Sequence, residues 1–222
     1  MKEKTSIDNS KVQTPDTQAI ITPALALQLL KQGNERFVKN RRLERNYARQ
    51  VAATAKGQYP FAIILSCIDS RVPAEIIFDQ GIGDIFSACV AGNIVNDDIL
   101  GSMEFACQLA GTKLIVVLGH TSCGAVKGAC DGARLGHLTQ LLDKLKPAVN
   151  AVPTAPGEER SSRNMDFVNK VAAKNVELTI ENISRQSPVL HDLYTQGKIG
   201  IVGAMYDVAT GKVDFMIQET EG

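Results

Sequence analysis

The sequence predicts an α/β fold, a mainly parallel β-sheet flanked by helices, on two observations. Short apolar runs at residues 61–67, 84–90 and 113–119 are typical of buried strands, and the last is β-branched and almost wholly apolar. Segments with helical periodicity follow the second and third runs. Strands that alternate with helices along a chain form a parallel sheet, so these runs are expected to pair in parallel.

The polar residues 1–21 are predicted to form a tail, either disordered or the remnant of a trimmed segment, and residues 22–222 a single domain. The domain opens with a helix because Thr22 is a good N-cap and Pro23 fits the first helical position. Apolar residues recur behind Pro23 at helical spacing, which gives this helix one face to bury.

The later elements follow from periodicity and from Gly or Pro at their boundaries. Helices are predicted over 97–110, 135–145, 166–186 and 188–196, a Pro-, Ala- and Ser-rich loop over 146–163, and a C-terminal hairpin over 199–206 and 213–217. The pattern contains neither an internal repeat nor an interdomain linker.

Charge and hydropathy exclude two classes of protein. The 222 residues carry 24 Lys plus Arg and 24 Asp plus Glu, a balance that excludes a strongly basic nucleic-acid-binding protein. No apolar run approaches the roughly 18 residues of a membrane helix. The first 18 residues lack the apolar core of a signal peptide. We therefore expect a cytoplasmic protein, or a periplasmic one if an export signal has been trimmed.

The five cysteines do not suit a disulfide scaffold, because their number is odd and three of them lie in apolar, core-like patterns. Free thiols or metal thiolates are the better interpretations. They are Cys67, Cys89, Cys107, Cys123 and Cys130.

Two polar clusters each follow directly on a predicted strand. The first is Cys-Ile-Asp-Ser-Arg-Val at 67–72, and the second is His-Thr-Ser-Cys-Gly-Ala at 120–125. Because functional sites in open α/β sheets lie beyond the carboxyl ends of the strands, we expect both clusters at one edge of the sheet. Together they offer two thiolates and an imidazole from Cys67, His120 and Cys123, a ligand set that favours zinc. Three protein ligands leave the fourth tetrahedral position open, as in catalytic zinc sites.

Asp69 and Arg71 lie between these ligands in the sequence. They could form a surface ion pair of under about 1 kcal/mol. Alternatively, Arg71 fixes and ionises Asp69 by charge and bidentate hydrogen bonding. Asp69 could then accept a proton from zinc-bound water, or ligate the metal itself. The position of the pair favours this functional interpretation.

Other motifs do not fit the spacing. A phosphatase-type nucleophile loop would place Arg six residues after Cys, whereas Arg71 is four after Cys67. The segment 119–124 has the glycine spacing of a P-loop, but Ala125 stands where that loop needs Lys. A Cys–His nucleophile pair is possible, although two cysteines and one His suit a metal better.

The motifs Cys-x-Asp-Ser-Arg and His-x-x-Cys-Gly make the chain resemble a bacterial β-class carbonic anhydrase, from about Pro23 to Gln218 and most specifically over 58–128. The resemblance implies a zinc lyase that reversibly hydrates CO₂ to bicarbonate and a proton. Its Zn²⁺, one per chain, would be held by Cys67, His120 and Cys123. The Asp69–Arg71 dyad would orient zinc-bound water or hydroxide. Family members are obligate dimers or tetramers, with active sites at the subunit interface and an N-terminal helical arm that embraces the partner.

Five residues are predicted to contact substrate. The chain is similar to the plant-type subgroup, in which Gln58 would hydrogen-bond substrate and Phe86 would line the pocket, while Phe105 stands where that subgroup has tyrosine. CO₂ is small and apolar, so Val72 suits the pocket wall, and backbone N–H groups near Gly124 could bind a developing bicarbonate oxygen.

The other subgroup closes its site with bicarbonate bound to a Trp and an Arg, and its Asp, here Asp69, then takes the fourth zinc position. Ile64 and Cys89 stand at those Trp and Arg positions. We therefore predict that this chain has no such bicarbonate switch, and that Asp69 would be a zinc ligand only in a closed state.

Two other functions remain open at this point. The same fold and metal could hydrolyse a CO₂-like molecule such as carbon disulfide or carbonyl sulfide. Alternatively, the ligands could belong to a non-catalytic zinc or redox protein. Gln58 and the intact Asp69–Arg71 pair favour CO₂ hydration.

Overall fold

A five-stranded sheet forms the centre of the protein. The computed structural model describes residues 7–216, and its sheet has the order β2-β1-β3-β4-β5. The strands are β1 (Ala62–Ser66), β2 (Ile85–Cys89), β3 (Leu114–His120), β4 (Gly200–Tyr206) and β5 (Val213–Met216). Strands β1 to β4 are parallel, and β5 runs antiparallel to β4. The predicted α/β fold with a mainly parallel sheet and a C-terminal hairpin is confirmed, while residue 217 lies outside the described residues.

Ten helices accompany these strands within residues 7–216. They are α1 (Pro15–Ile20), α2 (Pro23–Val38), α3 (Tyr47–Thr54), α4 (Ala74–Ile77), α5 (Asp97–Glu104), α6 (Gly124–Cys130), α7 (Gly136–Asp143), α8 (Lys146–Ala151), α9 (Met165–Gln186) and α10 (Pro188–Thr195). A single π-helical turn over Phe105–Leu109 continues α5. No helix in this described range combines the length and hydropathy that a bilayer crossing requires.

Helices cover both faces of the sheet, which explains the continuous apolar runs of the central strands. Successive side chains of a strand point to opposite faces. Accordingly, Ile64 of β1 packs in the cluster that contains the apolar side of α2, whereas Ile63 and Leu65 pack with Val176 of α9. All residues of β1 and β3 are buried. These strands therefore lie between two helical layers.

Polar side chains cap α2, as predicted for Thr22, and also α9. The Thr22 side chain accepts a hydrogen bond from the Leu25 N–H, and Pro23 occupies the first turn of α2. At α9 the Asn164 side chain accepts from the Phe167 N–H. Each cap satisfies a backbone donor that the helix itself leaves unpaired.

The predicted tail is wrong over residues 7–21, which pack on the domain; residues 1–6 lie outside the described residues. Helix α1 lies in this segment, and Ile21 is buried behind it. The Gln18 Nε2 donates to the carbonyl oxygens of Pro60 and Ala110, both at 2.8 Å. The segment is polar because its side chains bond to backbone groups of the domain, and composition alone does not distinguish such a segment from a solvated tail.

The predicted loop over 146–163 is also wrong in its first part, which forms α8. Pro147 lies in the first helical turn, where a missing N–H is tolerated. Ala148 of α8 is buried. Arg160 of the remaining irregular segment donates to the carbonyl oxygens of Val149 and Val152, at 2.6 and 2.9 Å. The irregular part is therefore fixed against the end of α8.

Gly33→Ala is expected to lower the free energy of unfolding by about 1–3 kcal/mol. A Cβ at Gly33 of α2 would lie 1.8 Å from the Phe78 carbonyl oxygen, a backbone atom that cannot move aside cheaply. The matched change Gly101→Ala in α5 meets no atom within 4 Å. It should therefore stabilise the protein by roughly 1 kcal/mol through helix propensity alone. Urea unfolding of both variants measures the two effects, and equal shifts would contradict this packing.

Asp84 is expected to make stability depend on pH. It is fully buried; its Oδ2 accepts from the Gly81 N–H at 2.7 Å, whereas its Oδ1 has no hydrogen-bond partner among residues 7–216. Burial raises the pKa of Asp84 from its ordinary value of 3.8 to about 6. Between these values the folded chain keeps a proton that the unfolded chain has released, so the free energy of unfolding falls as pH rises through this window.

Asp84→Asn should therefore stabilise the protein at pH 7.5 by on the order of 3 kcal/mol. The gain over the parent should shrink towards pH 4, where the parent carboxyl is protonated. Urea unfolding of parent and variant at several pH values gives this difference. A difference that stays constant from pH 4 to 7.5 would contradict a buried Asp84 with a raised pKa.

Candidate metal centre

Two loops at one edge of the sheet carry the predicted ligands. Strands β1 and β3 are neighbours and pair in parallel, with Ser66 opposite Leu118. Cys67 follows the last residue of β1, and His120 is the last residue of β3. Cys123 follows after two more residues and caps helix α6. The prediction that both clusters lie at one edge of the sheet is confirmed, and the two strands that carry them are neighbours.

The three ligand atoms form a compact, buried group. Those of Cys67, His120 and Cys123 lie within 4.8 Å of one another, and the two Sγ atoms are 4.0 Å apart. Zinc–sulfur bonds of about 2.3 Å in a tetrahedral site place two sulfur atoms about 3.8 Å apart. Within residues 7–216 no other group of His, Cys, Asp and Glu side chains converges in this way.

The His120 imidazole is aimed at this group. Its Nδ1 lies 2.9 Å from the Thr121 carbonyl oxygen, which accepts a hydrogen bond and so places the ring proton on Nδ1. Its Nε2 is buried and has no hydrogen-bond partner among the described residues. A buried, unpaired nitrogen beside two sulfur atoms is a costly arrangement unless a cation binds there. Two thiolates and a neutral imidazole fit Zn²⁺.

The two sulfur atoms have different proton affinities. The hydrogen bond between them lowers the pKa of Cys67 and raises that of Cys123. The Gly92 N–H also donates to the Cys67 Sγ at 3.4 Å and helps to lower its pKa. By contrast, burial raises the pKa of Cys107 to about 12 and is the main cause that raises that of Cys130 to about 11. The latter two side chains remain thiols at neutral pH.

Asp69 and Arg71 form the bidentate pair that the sequence suggested. The Arg71 Nε donates to Asp69 Oδ1 at 2.8 Å, and the Arg71 Nη2 donates to Oδ2 at 2.7 Å. The Arg71 side chain beside Asp69 holds the pKa of that carboxyl well below its usual range. Asp69 Oδ2 lies 3.9 Å from the His120 Nε2. An ionised carboxylate of fixed orientation therefore stands at the border of the metal centre.

A mostly apolar cavity of about 360 Å³ opens beside Cys67 and Asp69. Gly124 lines it, as predicted for a residue near substrate. Its other walls are formed by Ile68, Ala91, Ala125, Gly128, Ala133, Leu138 and Leu142. Leu138 and Leu142 belong to none of the sequence motifs, although their spacing of four residues on α7 puts them on one helical face.

The other predicted substrate contacts do not join this cavity within one chain. Val72 is buried in the core cluster on the α2 side of the sheet. Gln58 is exposed between α3 and β1. Phe86 and Phe105 pack edge to face, with ring centroids 6.2 Å apart, and line a separate cavity of about 710 Å³. The structure thus brings together the ligands, the Asp–Arg pair and Gly124, while Phe86, Phe105 and Gln58 lie on other surfaces.

The two residues from which we predicted that a bicarbonate switch is missing also lie away from this cavity. Ile64 is fully buried in the core on the α2 side. Cys89 is exposed at the end of β2, where its Sγ lies 3.3 Å from the Ser66 hydroxyl. Neither side chain offers the cation that an anion site would require. The missing switch remains a prediction.

Comparison with known proteins gives a consistent result. The family model described as carbonic anhydrase matches residues 62–213. Carbonic anhydrase 2 of Mycobacterium tuberculosis is 36% identical over 198 residues, which cover 86% of this chain and 91% of that protein. The carbonic anhydrase of Mycolicibacterium smegmatis is 34% identical over 198 residues and covers similar shares, 86% and 92%.

Solved structures agree in fold. A β-carbonic anhydrase of Aspergillus fumigatus superposes with a TM-score of 0.65 at 25% identity, covering 87% of this chain and 89% of that one. A tetrameric β-carbonic anhydrase of Sordaria macrospora superposes with a TM-score of 0.64 at 24% identity, covering 76% and 90%. With the Cys–His–Cys group in place, the chain belongs to the β-class of the carbonic anhydrase family, lyases that hydrate CO₂.

Proposed function

We propose that this protein reversibly hydrates CO₂ to bicarbonate with one Zn²⁺ per chain, held by Cys67, His120 and Cys123. The observation that carries the proposal is the buried, unpaired His120 Nε2 beside two sulfur atoms, with Asp69 Oδ2 3.9 Å away. Bound there, Zn²⁺ supplies a water of lowered pKa as nucleophile. Two thiolates offset the charge of the cation, so the protein itself has to assist this deprotonation.

Asp69 gives that assistance. Both of its oxygen atoms are oriented by Arg71, and its low pKa keeps it an acceptor across the neutral range. Oδ2 faces the metal centre and can accept a hydrogen bond from the attacking water. This hydrogen bond fixes the orientation of the water, so that a lone pair of its oxygen points at CO₂. Arg71 acts through Asp69: it holds the carboxylate ionised and in place, and half of its side chain remains exposed.

The apolar cavity suits the substrate. CO₂ is small and uncharged, and the walls formed by Ile68, Ala125, Leu138 and Leu142 solvate it without competing hydrogen bonds. The product carries a charge, which these apolar walls solvate poorly, so its departure toward solvent is favoured. Gly124 lets the backbone approach the reacting atoms because no Cβ occupies that space.

Self-association is part of the proposal. Phe86 and Phe105 lie on an exposed face, and Phe105 is 52% exposed, which is unusual for a side chain of this size. The solved Sordaria macrospora relative is described as tetrameric. We propose that a second copy covers this face, and that Gln58, Phe86 and Phe105 approach substrate in the partner's site. A monomer with full activity at all concentrations would contradict this assembly.

Stopped-flow CO₂ hydration on metal-quantified protein tests the function. We expect about one zinc per chain and a rate that rises with pH from neutral into the alkaline range. The rise belongs to the attacking water, because the low pKa of Asp69 keeps this carboxylate ionised throughout. A rate that is flat from pH 6 to 9 would count against this mechanism.

The same preparation separates the alternatives. Zinc without CO₂ hydration, but with hydrolysis of carbon disulfide or carbonyl sulfide, would indicate a different substrate on the same centre. Zinc without any of these activities would indicate a structural site.

A further inference from the structure

We propose that helix α9 orders the metal centre through two asparagine side chains, Asn169 and Asn175, which act as positioning residues for its two ligand loops. Neither was suggested by the motifs, and neither touches the ligand atoms. The inference rests on the proposed zinc centre. It concerns how the chain holds its ligands, so it can be tested by metal retention separately from CO₂ hydration.

The first chain of hydrogen bonds runs from Asn175 through Gly92 to Cys67. The Gly92 N–H donates to the Cys67 Sγ at 3.4 Å. On the other side of the same residue, the Gly92 carbonyl oxygen accepts from the Asn175 Nδ2 at 2.8 Å. Asn175 is 4% exposed, so water does not compete for this bond. The Gly92 N–H and carbonyl lie in adjacent peptide planes that meet at its Cα. Holding the carbonyl therefore restrains the turn from which the N–H reaches the Cys67 sulfur.

The turn that contains Gly92 has to be held, because its backbone is unusual. Gly92 has a φ of 74°, and a Cβ there would lie 2.9 Å from the Leu145 side chain. Asn93, the next residue, has a φ of 42°. Thr179, one helical turn beyond Asn175, directs its hydroxyl to the Asn93 carbonyl oxygen at 3.5 Å. Two polar side chains on one face of α9 therefore clamp this turn.

The second contact is a hydrogen bond between Asn169 and the loop that joins His120 to Cys123. Ser122, in this loop, has a φ of 57°, a left-handed conformation that non-glycine residues seldom adopt. Its N–H donates to the Asn169 Oδ1 at 3.0 Å. Such a conformation persists where surrounding contacts impose it. The Asn169 side chain supplies that contact, and the bend it stabilises brings Cys123 back towards His120.

Helix α9 is suited to this role because it is a rigid reference for both loops. It has 22 residues and is capped by Asn164. Its apolar face is buried against the sheet, with Val176 and Ile180 packed in the core. Asn169 and Asn175 thus hold the two loops at a fixed separation on one element. Residues that support the ligands of a metal site without binding the metal typically change metal affinity 10- to 100-fold.

The two asparagines use opposite ends of their amides, which gives a sharp test. Asn169 accepts through Oδ1, so Asn169→Asp keeps the bond, whereas Asn169→Leu removes it. Asn175 donates through Nδ2, so Asn175→Asp and Asn175→Ala both remove the bond. Asn182→Asp makes the same change on α9 and serves as the control, because the Asn182 Oδ1 accepts from Arg185 and lies outside both ligand loops. Zinc release at pH 8 is followed with a chromogenic chelator, and the thiolate-to-cobalt charge-transfer bands are recorded on Co²⁺-loaded protein.

We expect Asn175→Asp, Asn175→Ala and Asn169→Leu to release zinc at least tenfold faster than the parent, with shifted charge-transfer bands. Asn169→Asp and Asn182→Asp should match the parent in both measurements. The proposal is overturned if the Asn175 variants keep the parent's release rate and spectrum, or if Asn182→Asp loses metal as fast as Asn175→Asp. Inactive parent protein that retains zinc would refute CO₂ hydration and leave this inference intact.

Discussion

Asp69→Asn is expected to lower kcat/KM for CO₂ hydration by about 10²–10³-fold, within the range that general-base groups contribute. The amide keeps the size of the side chain and one acceptor oxygen. It loses the negative charge with which the carboxylate accepts a hydrogen bond from the attacking water, and the second oxygen that Arg71 orients at 2.7 Å. Zinc content should remain near one per chain, because Asp69 is not among the three ligand side chains.

Asp143→Asn is the matched control. Asp143 is also paired with a cation, since its Oδ1 lies 2.6 Å from the Lys146 Nζ, and that contact lowers its pKa. It lies on α7 outside the residues that line the cavity. Its variant should hydrate CO₂ at the parent rate. If Asp69→Asn retained more than half of the parent kcat/KM, Asp69 would be a structural partner of Arg71 and no more.

Cys123→Ser is expected to empty the metal centre, with zinc below about 0.1 per chain and CO₂ hydration lost in proportion. A hydroxyl is neither deprotonated at neutral pH nor a soft ligand, so it cannot replace the thiolate that zinc prefers. Zinc is counted by elemental analysis after dialysis against a weak chelator. Added zinc should restore little activity, because a site that lacks one of its two thiolate ligands is incomplete even when zinc is in excess.

The control for this change is Cys130→Ser. Cys130 ends helix α6, which begins just after Cys123, but burial holds its pKa near 11 and it takes no part in the ligand group. This variant should keep one zinc per chain and the parent rate. Equal loss of zinc from both variants would mean that the substitutions disturb α6. The assignment of Cys123 as a ligand would then lack support.

The sequence was most informative where a residue pattern is compatible with a single structural arrangement. The runs around β1 and β3 predicted strands to within one residue at each end, because continuous apolar segments of that length must be buried on both faces. The ligands followed for a related reason. A strand end fixes the edge on which Cys67 and His120 lie, and the identity of the side chains then selects the metal.

Prediction failed where tertiary contacts decide the outcome. Residues 7–21 are polar, yet Asn9 is buried where its Nδ2 donates to the Gln80 Oε1, and Gln13 is buried beside Asp84. Helix α8 contains a proline and small residues, and only its packing against α9 distinguishes it from a loop. In each case the local composition is that of solvated chain, and the stabilising partner lies far away in the sequence.

Substrate contacts were a different problem. Val72 follows Arg71 directly, and proximity in sequence suggested the pocket, but its side chain turns into the core. Asn169 and Asn175 were missed for the opposite reason. They are distant in sequence from the ligands. On a helix of mixed composition, one buried and one half-buried amide give no signal that distinguishes them from surface residues.

The pairing of β1 with β3 has a consequence for how the length of this chain can change. Residues 62–66 run opposite residues 114–118 without a bulge, so the ladder fixes where each strand releases its ligand loop. Inserting one residue in either strand would shift the register by one step and turn Cys67 or His120 to the opposite face. An insertion in the irregular segment 152–164 leaves that ladder untouched. Gains and losses of residues over the history of this family are therefore expected to collect in that segment, while the spacing inside the two strands stays constant.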